Sequence, residues 1–416
     1  MSLSKNVIMG AATVLGLALG VSANVQAAAV QPANSSQRTY NLKAETNLKA
    51  KSAKRHKKAA KKKHKRKSSR SEMRSYVRRT MNHYHLRGRA VVVKNGRPQT
   101  VSYGYAWYGH RIYNSNRRVI YPLASLQKSL TGAIMTQLIM SHKTGKNKIT
   151  QYTKISRWYP NLKGAKHITV GELMTHTSGI NVENTENLRK KHYSEAAAIK
   201  WVVRDINRSK MGKRGRFDYN NSNFILLAGI IRKVTHKSYQ ANVESRIIHK
   251  LNLHDTYFAH QVPRSKIRAV SYVWRKRNYQ SPHRILTRHA SQIPGAGNLY
   301  STPEDYYRIQ RALYNGRVLN AHEFHYMTNL KAKKHGYSGG MYEKGIKSGS
   351  HIKIAYGAIK YNHYSSWYQL TDDNQNGLVF LLNQNNTSSS EKKVKAAGYK
   401  ILTHIRKNTF SRQGRL

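Results

Sequence analysis

The chain has 416 residues, 75 Lys+Arg against 17 Asp+Glu, no cysteine, and a formal net charge of +58. That length allows one large domain or two, plus appendages. The missing cysteines exclude disulfide scaffolds, thiol catalysis and Cys-ligated zinc, and the charge calls for an anionic partner: nucleic acid, an anionic membrane or an acidic wall polymer.

The N-terminus narrows that choice. Lys5 precedes an apolar run from Val7 to Val21, and small residues follow at Val25-Gln26-Ala27-Ala28-Ala29. This is the layout of a secretory signal peptide, assigned to residues 1–28. The run is shorter than the roughly 20 residues a membrane span needs, and no second stretch of spanning length follows. We therefore expect a secreted, extracellular, wall-associated protein with no transmembrane segment in the mature chain. Export argues against nucleic acid as partner.

Residues 29–70 read as a Lys/Arg-rich linker. Twelve Lys or Arg lie between Lys51 and Arg70, and no acid occurs from Thr46 to Ser71. Such a run repels itself and has little to bury, so disorder is expected. It can tether the protein to a polyanion through counterion release, without reading sequence or shape. Residues 1–70 hold sixteen Lys or Arg and one acid, so the remainder still carries +43. The basic character belongs to the body as well as the tail.

From 71 to 410 the pattern is that of a folded domain. Residues 71–84 suggest a first helix. Arg89 to Tyr108 reads as a hairpin turning at Asn95-Gly96, the strongest short-range hairpin signal. The segment from Ser125 to Met135 has helical apolar spacing, as do 197–204 and 222–234. Ser365–Thr371 and Gly377–Asn383 form a second hairpin across Asp372-Asp373-Asn374, and Ser388–Lys407 a closing amphipathic helix. Strands at both chain ends around a mixed middle predict one sheet built from the two ends, with a helical insertion.

Ser125-Leu126-Gln127-Lys128 places a hydroxyl and an amine one helical turn apart. A serine is a poor nucleophile until a nearby base takes its proton, and lysine can serve. A helix start also favours developing negative charge. Alone the pattern is weak: Ser2, Ser350, Ser389 and Ser390 also have Lys three residues on. The second element is Tyr219-Asn220-Asn221. A tyrosine becomes a useful base where cations hold it as phenolate, and Asn221 can bond both lysine and a substrate amide. Read singly, Tyr219 is as well explained as a core tyrosine before a helix.

Four segments, in order, resemble the serine β-lactamase-related family, of the class C β-lactamase and D-alanyl-D-alanine carboxypeptidase type. They are Leu123–Lys128, Ile168–Ile180 with His176-Thr-Ser-Gly, Phe217–Asn221 with its following helix, and Gly295–Asp305. The resemblance implies an α/β (α+β) fold: an antiparallel sheet flanked by helices, with an all-helical region carrying Tyr-x-Asn. It implies Ser125 as acylated nucleophile, Lys128 as its proton partner, Tyr219 as general base and Asn221 as substrate-binding residue. His176-Thr-Ser-Gly and Gly295-Ala-Gly297 are taken as structural turns.

The third family motif, Lys-Thr-Gly or His-x-Gly on a strand before the C-terminal hairpin, is absent. Tyr356-Gly357 is the nearest remnant and is taken as the substrate-binding pair; Lys353, His351 and His363 lie nearby. Losing that cation weakens support for a phenolate and for a substrate carboxylate. The oxyanion hole is expected from the N–H of Ser125 and one N–H of this strand near Ile359.

These readings leave two envelope substrates open: a D-Ala-D-Ala peptide or β-lactam, and the D-alanyl ester of teichoic acid. The +43 body and the damaged third motif favour the ester. The alternative is an inactive, polyanion-binding wall protein on the same fold. The partners expected are thus a small-molecule or peptide substrate and, by electrostatics, teichoic acid or peptidoglycan. No metal site and no cofactor is expected, for lack of an H-E-x-x-H or a Gly-rich phosphate loop.

Overall fold

The computed structural model describes residues 35–182, 191–345, 351–359, 364–386 and 390–409. The signal-peptide assignment, residues 29–34 and His363 lie outside them. The chain divides into a first unit ending at Lys67 and a second of Ser68–Leu416.

Residues 35–70, part of the linker for which disorder is expected, fall in a helix. Helix α1 (Ser35–His83) begins at residue 35. No Gly or Pro interrupts residues 35–83, and Ala, Lys, Arg, Leu and Gln carry little helix penalty. From Asn47 to Lys57 every side chain is exposed, so this stretch is held by local propensity without tertiary packing.

The second unit is built on a nine-stranded sheet. Its strands are β1 (Arg87–Lys94), β2 (Arg97–Tyr103), β3 (Ser271–Arg275), β4 (Arg277–His283), β5 (Tyr337–Ser338), β6 (Met341–Gly345), β7 (His351–Ile359), β8 (Tyr364–Thr371) and β9 (Gly377–Asn386). The order is β5-β6-β7-β8-β9-β1-β2, and β3 runs parallel to the end of β9 with β4 beside it. Both chain ends meet at the centre: Ala90 pairs Phe380 and Val92 pairs Leu378. The β1–β2 hairpin turns at Asn95 (φ 51°) and Gly96 (φ 69°), the left-handed pair that a two-residue turn requires.

Because β1 is central, both of its faces are covered. Val91 and Val93 enter one apolar core, Ala90 and Val92 the other. The second core is closed by α6 (Ser390–Thr409), through Val394, Ala397, Ile401 and Ile405, and by Met73, Val77 and Met81 of α1. Those three repeat every four residues, a stripe down one helix face. The larger core lies on the opposite face, with α2 (Lys128–Ser141), α3 (Glu195–Arg208), α4 (Asn221–Thr235) and α5 (Pro303–Ala312). α2 is buried nearly all round. The antiparallel sheet between helical layers is the architecture expected. No described helix is long and apolar enough to cross a membrane.

Candidate active site

Strand Val119–Pro122 ends in a turn that is strained at one residue. Ala124 has φ +49°, a left-handed conformation rare for a residue with a Cβ. Ser125 follows it in a 3-10 turn, Ala124–Gln127, and α2 takes over at Lys128. The sequence suggested a continuous α-helix here. With three residues per turn, positions i and i+3 eclipse, so Lys128 stands directly beneath Ser125. Its Nζ donates to Ser125 Oγ at 3.0 Å, to Asn221 Oδ1 at 2.8 Å and to the Ala296 carbonyl at 3.1 Å.

Lys128 is fully buried. Burying an ammonium is costly unless its donors are matched, and these three acceptors supply the match. The cation also lies 5.0 Å from the Tyr219 ring centroid. The structure thus gathers Ser125, Lys128, Tyr219 and Asn221 around one buried charge. The Ala296 carbonyl belongs to the Gly295-Ala-Gly297 segment, taken from sequence as structural only; its backbone is part of the lysine's cradle. No side-chain pattern could have revealed a carbonyl contact of this kind.

Asn220 caps α4 by accepting from Ser222 N at 3.0 Å, and donates to the Val182 carbonyl. Beneath Tyr219 lies His176, 4.3 Å between ring centroids and fully buried. Its Nδ1 meets Asn220 N at 3.3 Å and Asn223 Nδ2 at 3.0 Å. Burial first, then the Lys128 charge, holds its pKa well below the ordinary value. The neutral ring is a support for the Tyr219 turn, as its reading as a structural turn implied.

β7 closes the other side. It pairs with β6 only as far as Ile354, so Ala355–Ile359 is a free edge turned to the Ser125 turn. A Cβ on Gly357 would stand 2.9 Å from Ser125 N and 3.0 Å from the Leu123 carbonyl; only glycine fits. Ser366 Oγ, on β8 opposite Gly357, donates to that carbonyl at 2.8 Å and pins the turn to the sheet. Gly340 (φ +96°) makes the same approach to the Lys128 and Ser129 backbone.

Alternation along β7 separates the two residues of the presumed remnant. Gly357 and Ala355 share the Ser125 face. Tyr356 stands on the other, with Ile352 and Ile354 on the α6-side core; its hydroxyl is 3.2 Å from Ser365 Oγ. It lines the same cleft as Ser125, from the strand face opposite Gly357. Position 355, two before the glycine, is where the family lysine or histidine would stand, and it holds alanine. Lys353, on the same face, is fully buried and donates to the Gln310 carbonyl at 3.2 Å. Burial lowers its pKa to about 7. His351 is exposed and lies 4.0 Å from Asp372. Neither supplies the missing cation.

The resulting cleft encloses about 680 Å³ and reaches from Ser125 to α6. Lys344, Lys395, His335 and His289 line it, and its one carboxylate, Glu391, is paired with Lys395. Elsewhere, His325, Glu343 and Asp372 come together closely enough to share a cation. Glu343 already accepts from Lys333 at 3.1 Å, so its charge is met by one of the protein's own lysines.

Residues 73–400 match the Beta-lactamase family. The chain is a member of that family. It is 30% identical over 247 residues to the teichoic acid D-alanine hydrolase of Staphylococcus aureus, covering 57% of this chain and 58% of that protein. It is 27% identical over 242 residues to a putative penicillin-binding protein of Bacillus subtilis, at 58% of each. The chain thus matches less than two thirds of the length of these curated relatives. Two solved structures share the fold. FmtA from Staphylococcus aureus aligns with a TM-score of 0.64 at 24% identity, over 78% of this chain and 85% of that one. The D-amino acid amidase of Ochrobactrum anthropi aligns at 0.67 and 19%, over 82% and 100%.

Proposed function

We propose that the chain is an exported serine hydrolase that acylates Ser125 and removes D-alanyl esters from an anionic envelope polymer. The observation that carries the reading is the contrast across the cleft: the Ser125–Lys128–Asn221 hydrogen bonds are complete, whereas the facing strand offers Ala355 and Gly357. A substrate carboxylate, as in penicillins and D-Ala-D-Ala peptides, finds no strand cation at position 355. An ester without one needs none. The likeness to a relative named teichoic acid D-alanine hydrolase supports the same choice.

In the reaction, Ser125 Oγ bonds to the alanyl carbonyl carbon while its proton passes to Tyr219, whose ring lies beside Lys128. The tetrahedral oxyanion is received by the N–H of Ser125 and the Gly357–Ala358 peptide, a shift of one residue from the expected Ile359. Cleavage of the ester C–O bond returns the proton to the departing polymer hydroxyl. Water then repeats the sequence on the acyl-enzyme, releasing D-alanine and restoring Ser125. Each oxyanion donor is worth about 10²–10³ in rate.

Treating the protein with a fluorophosphonate and, separately, a penicillin tests the reading by intact mass, with Ser125→Ala as control. A fluorophosphonate adduct alone, together with D-alanine release from teichoic acid, is the expected result. Adducts from both, with faster release from stem peptides, would favour the peptidase. No adduct from either would leave the inactive, wall-binding protein.

A further inference from the structure

The Ala296 carbonyl that receives Lys128 lies in a turn between the helix Thr287–Ala290 and the strand Leu299–Ser301. Two glycines let the turn come close. A Cβ on Gly295 (φ +78°) would stand 2.7 Å from the Phe224 carbonyl, and one on Gly297 3.2 Å from Ala124. Close approach alone leaves the direction of a carbonyl open. Two side chains on either side of Lys128 in sequence supply the direction. Gln127, fully buried, accepts from Leu299 N at 2.9 Å and donates to Asn298 Oδ1 at 2.7 Å. Thr131, also fully buried, donates to the Gly295 carbonyl at 2.7 Å. Together they grip the turn before and after Ala296.

One atom joins the two grips. The hydroxyl of Tyr239, on the short helix Tyr239–Val243, is 2.7 Å from Thr131 Oγ1 and 3.3 Å from Gln127 Nε2. Counting protons gives the direction of the chain. Thr131 uses its one hydroxyl proton on the Gly295 carbonyl, so Tyr239 donates to Thr131 and accepts from Gln127. Every donor in the run from Gln127 through Tyr239 and Thr131 to Gly295 thus has an acceptor, and each bond polarises the next. Tyr239 is fully buried, which pushes its pKa up to about 12 and keeps the hydroxyl a donor. Its backbone is held in turn: Tyr239 N donates to Glu195 Oε1 at 2.7 Å, and Glu195 is paired with Arg232. Tyr239 is not among the residues lining the cleft.

We infer that Tyr239 is a positioning residue for the reaction: its hydroxyl locks the Gln127–Thr131 clamp and so holds the Ala296 carbonyl against Lys128 Nζ. The effect is largest after acylation. Ser125 Oγ is then an ester oxygen, a poorer acceptor than a hydroxyl. More of the matching of the buried charge falls to Asn221 Oδ1 and the Ala296 carbonyl. A weaker acceptor set lets an ammonium give up its proton more readily. The charge beside Ser125 and Tyr219 is then lost at lower pH. The inference rests on the proposed function for the part Lys128 plays in acyl transfer; the hydrogen-bond chain stands without it.

The test compares Tyr239→Phe with Tyr159→Phe. Each deletes one buried phenol hydroxyl, and that of Tyr159 donates to the Leu226 carbonyl, outside the chain. Both variants should melt at lower temperature than the parent. Only Tyr239→Phe should move the pH profile for hydrolysis of an aryl acetate. Its alkaline limb should shift down by about one pH unit, as expected when one hydrogen bond to a charged group is weakened. Pre-steady-state kinetics with the same ester should show deacylation slowed about tenfold, the equivalent of that shift, and acylation slowed less. Thr131→Val, which frees the Gly295 carbonyl, should act alike, and the double variant should add little to either change alone. The parent's pH profile in Tyr239→Phe would overturn the inference, and so would additive effects of the two clamp variants. A crystal structure of Tyr239→Phe reads the same claim without turnover: the Ala296 carbonyl should leave hydrogen-bonding reach of Lys128 Nζ, and a carbonyl that stays would overturn it. A parent protein that hydrolyses no ester, beside a displaced carbonyl in the variant, would count against the proposed function alone.

Discussion

The two walls of the cleft differ in how much freedom they leave. On the helical wall, Lys128 is fully buried and ties Ser125, Asn221 and Ala296 into one network. Changing any member strands a buried charge or a buried acceptor. On the strand wall, the strict demand among the described residues is the lack of a Cβ at Gly357; beyond Ile354 the strand has one described neighbour. On the proposed reading, the nucleophile sits on the wall that packing fixes most tightly, and substrate discrimination on the wall whose strand has one free edge.

The largest expected effect tests the first wall. Ser125→Ala should abolish fluorophosphonate labelling and lower ester turnover by about 10⁴ or more, as for other nucleophile deletions. A residual rate within tenfold of the parent would remove Ser125 from the reaction. Lys128→Met should lower the acylation rate by about 10³. It should also destabilise the protein by about 1–3 kcal/mol for each buried acceptor left unpaired, read as a fall in melting temperature.

On the strand wall, Gly357→Ala should cost about 1–3 kcal/mol of stability through overpacking. It should cut kcat about tenfold or more, because the new methyl would meet Ser125 N, the Leu123 carbonyl and Ser366 Oγ. Ala355→Lys sharpens the contrast in the other direction. A cation on the Ser125 face should raise penicillin acylation about tenfold and leave the ester rate within threefold. If penicillin acylation does not rise, the missing cation is not what sets the substrate.

The smallest effect concerns pH. Unfolded His176 binds a proton below about pH 6.5, whereas the folded ring, lowered by burial, binds one only at much lower pH. The unfolded state therefore takes up more protons as pH falls, and stability declines from about pH 6.5 downward until the folded pKa is reached. His176→Asn, which keeps an acceptor near the Nδ1 position, should make the decline of melting temperature below pH 6.5 shallower.

Much of this was legible in the sequence. The Asn95-Gly96 turn specified its hairpin because few residue pairs accept two left-handed positions. The Val394–Ile405 stripe specified a helix that packs by one face. Ser125, Lys128, Tyr219 and Asn221 were singled out because their segments resemble a known family in order, and the structure brings them around one buried lysine. The basic tail is where composition says least: charge repulsion and helix propensity oppose each other there, and residue counts do not say which prevails.

The sequence by itself determined the charge, the fold class and the candidate site residues, since those follow from residue chemistry and from motifs whose order resembles a known family. Tertiary structure decided where long-range contacts place them. It put the Ala296 carbonyl under Lys128 and set Gly357 rather than Tyr356 against Ser125. It also withdrew Lys353 from the cleft and stacked Tyr108 on Tyr279 from a distant segment. The physical reason is register. A one-residue step along β7 exchanges the faces of the sheet, and only the packed core fixes which face meets the nucleophile.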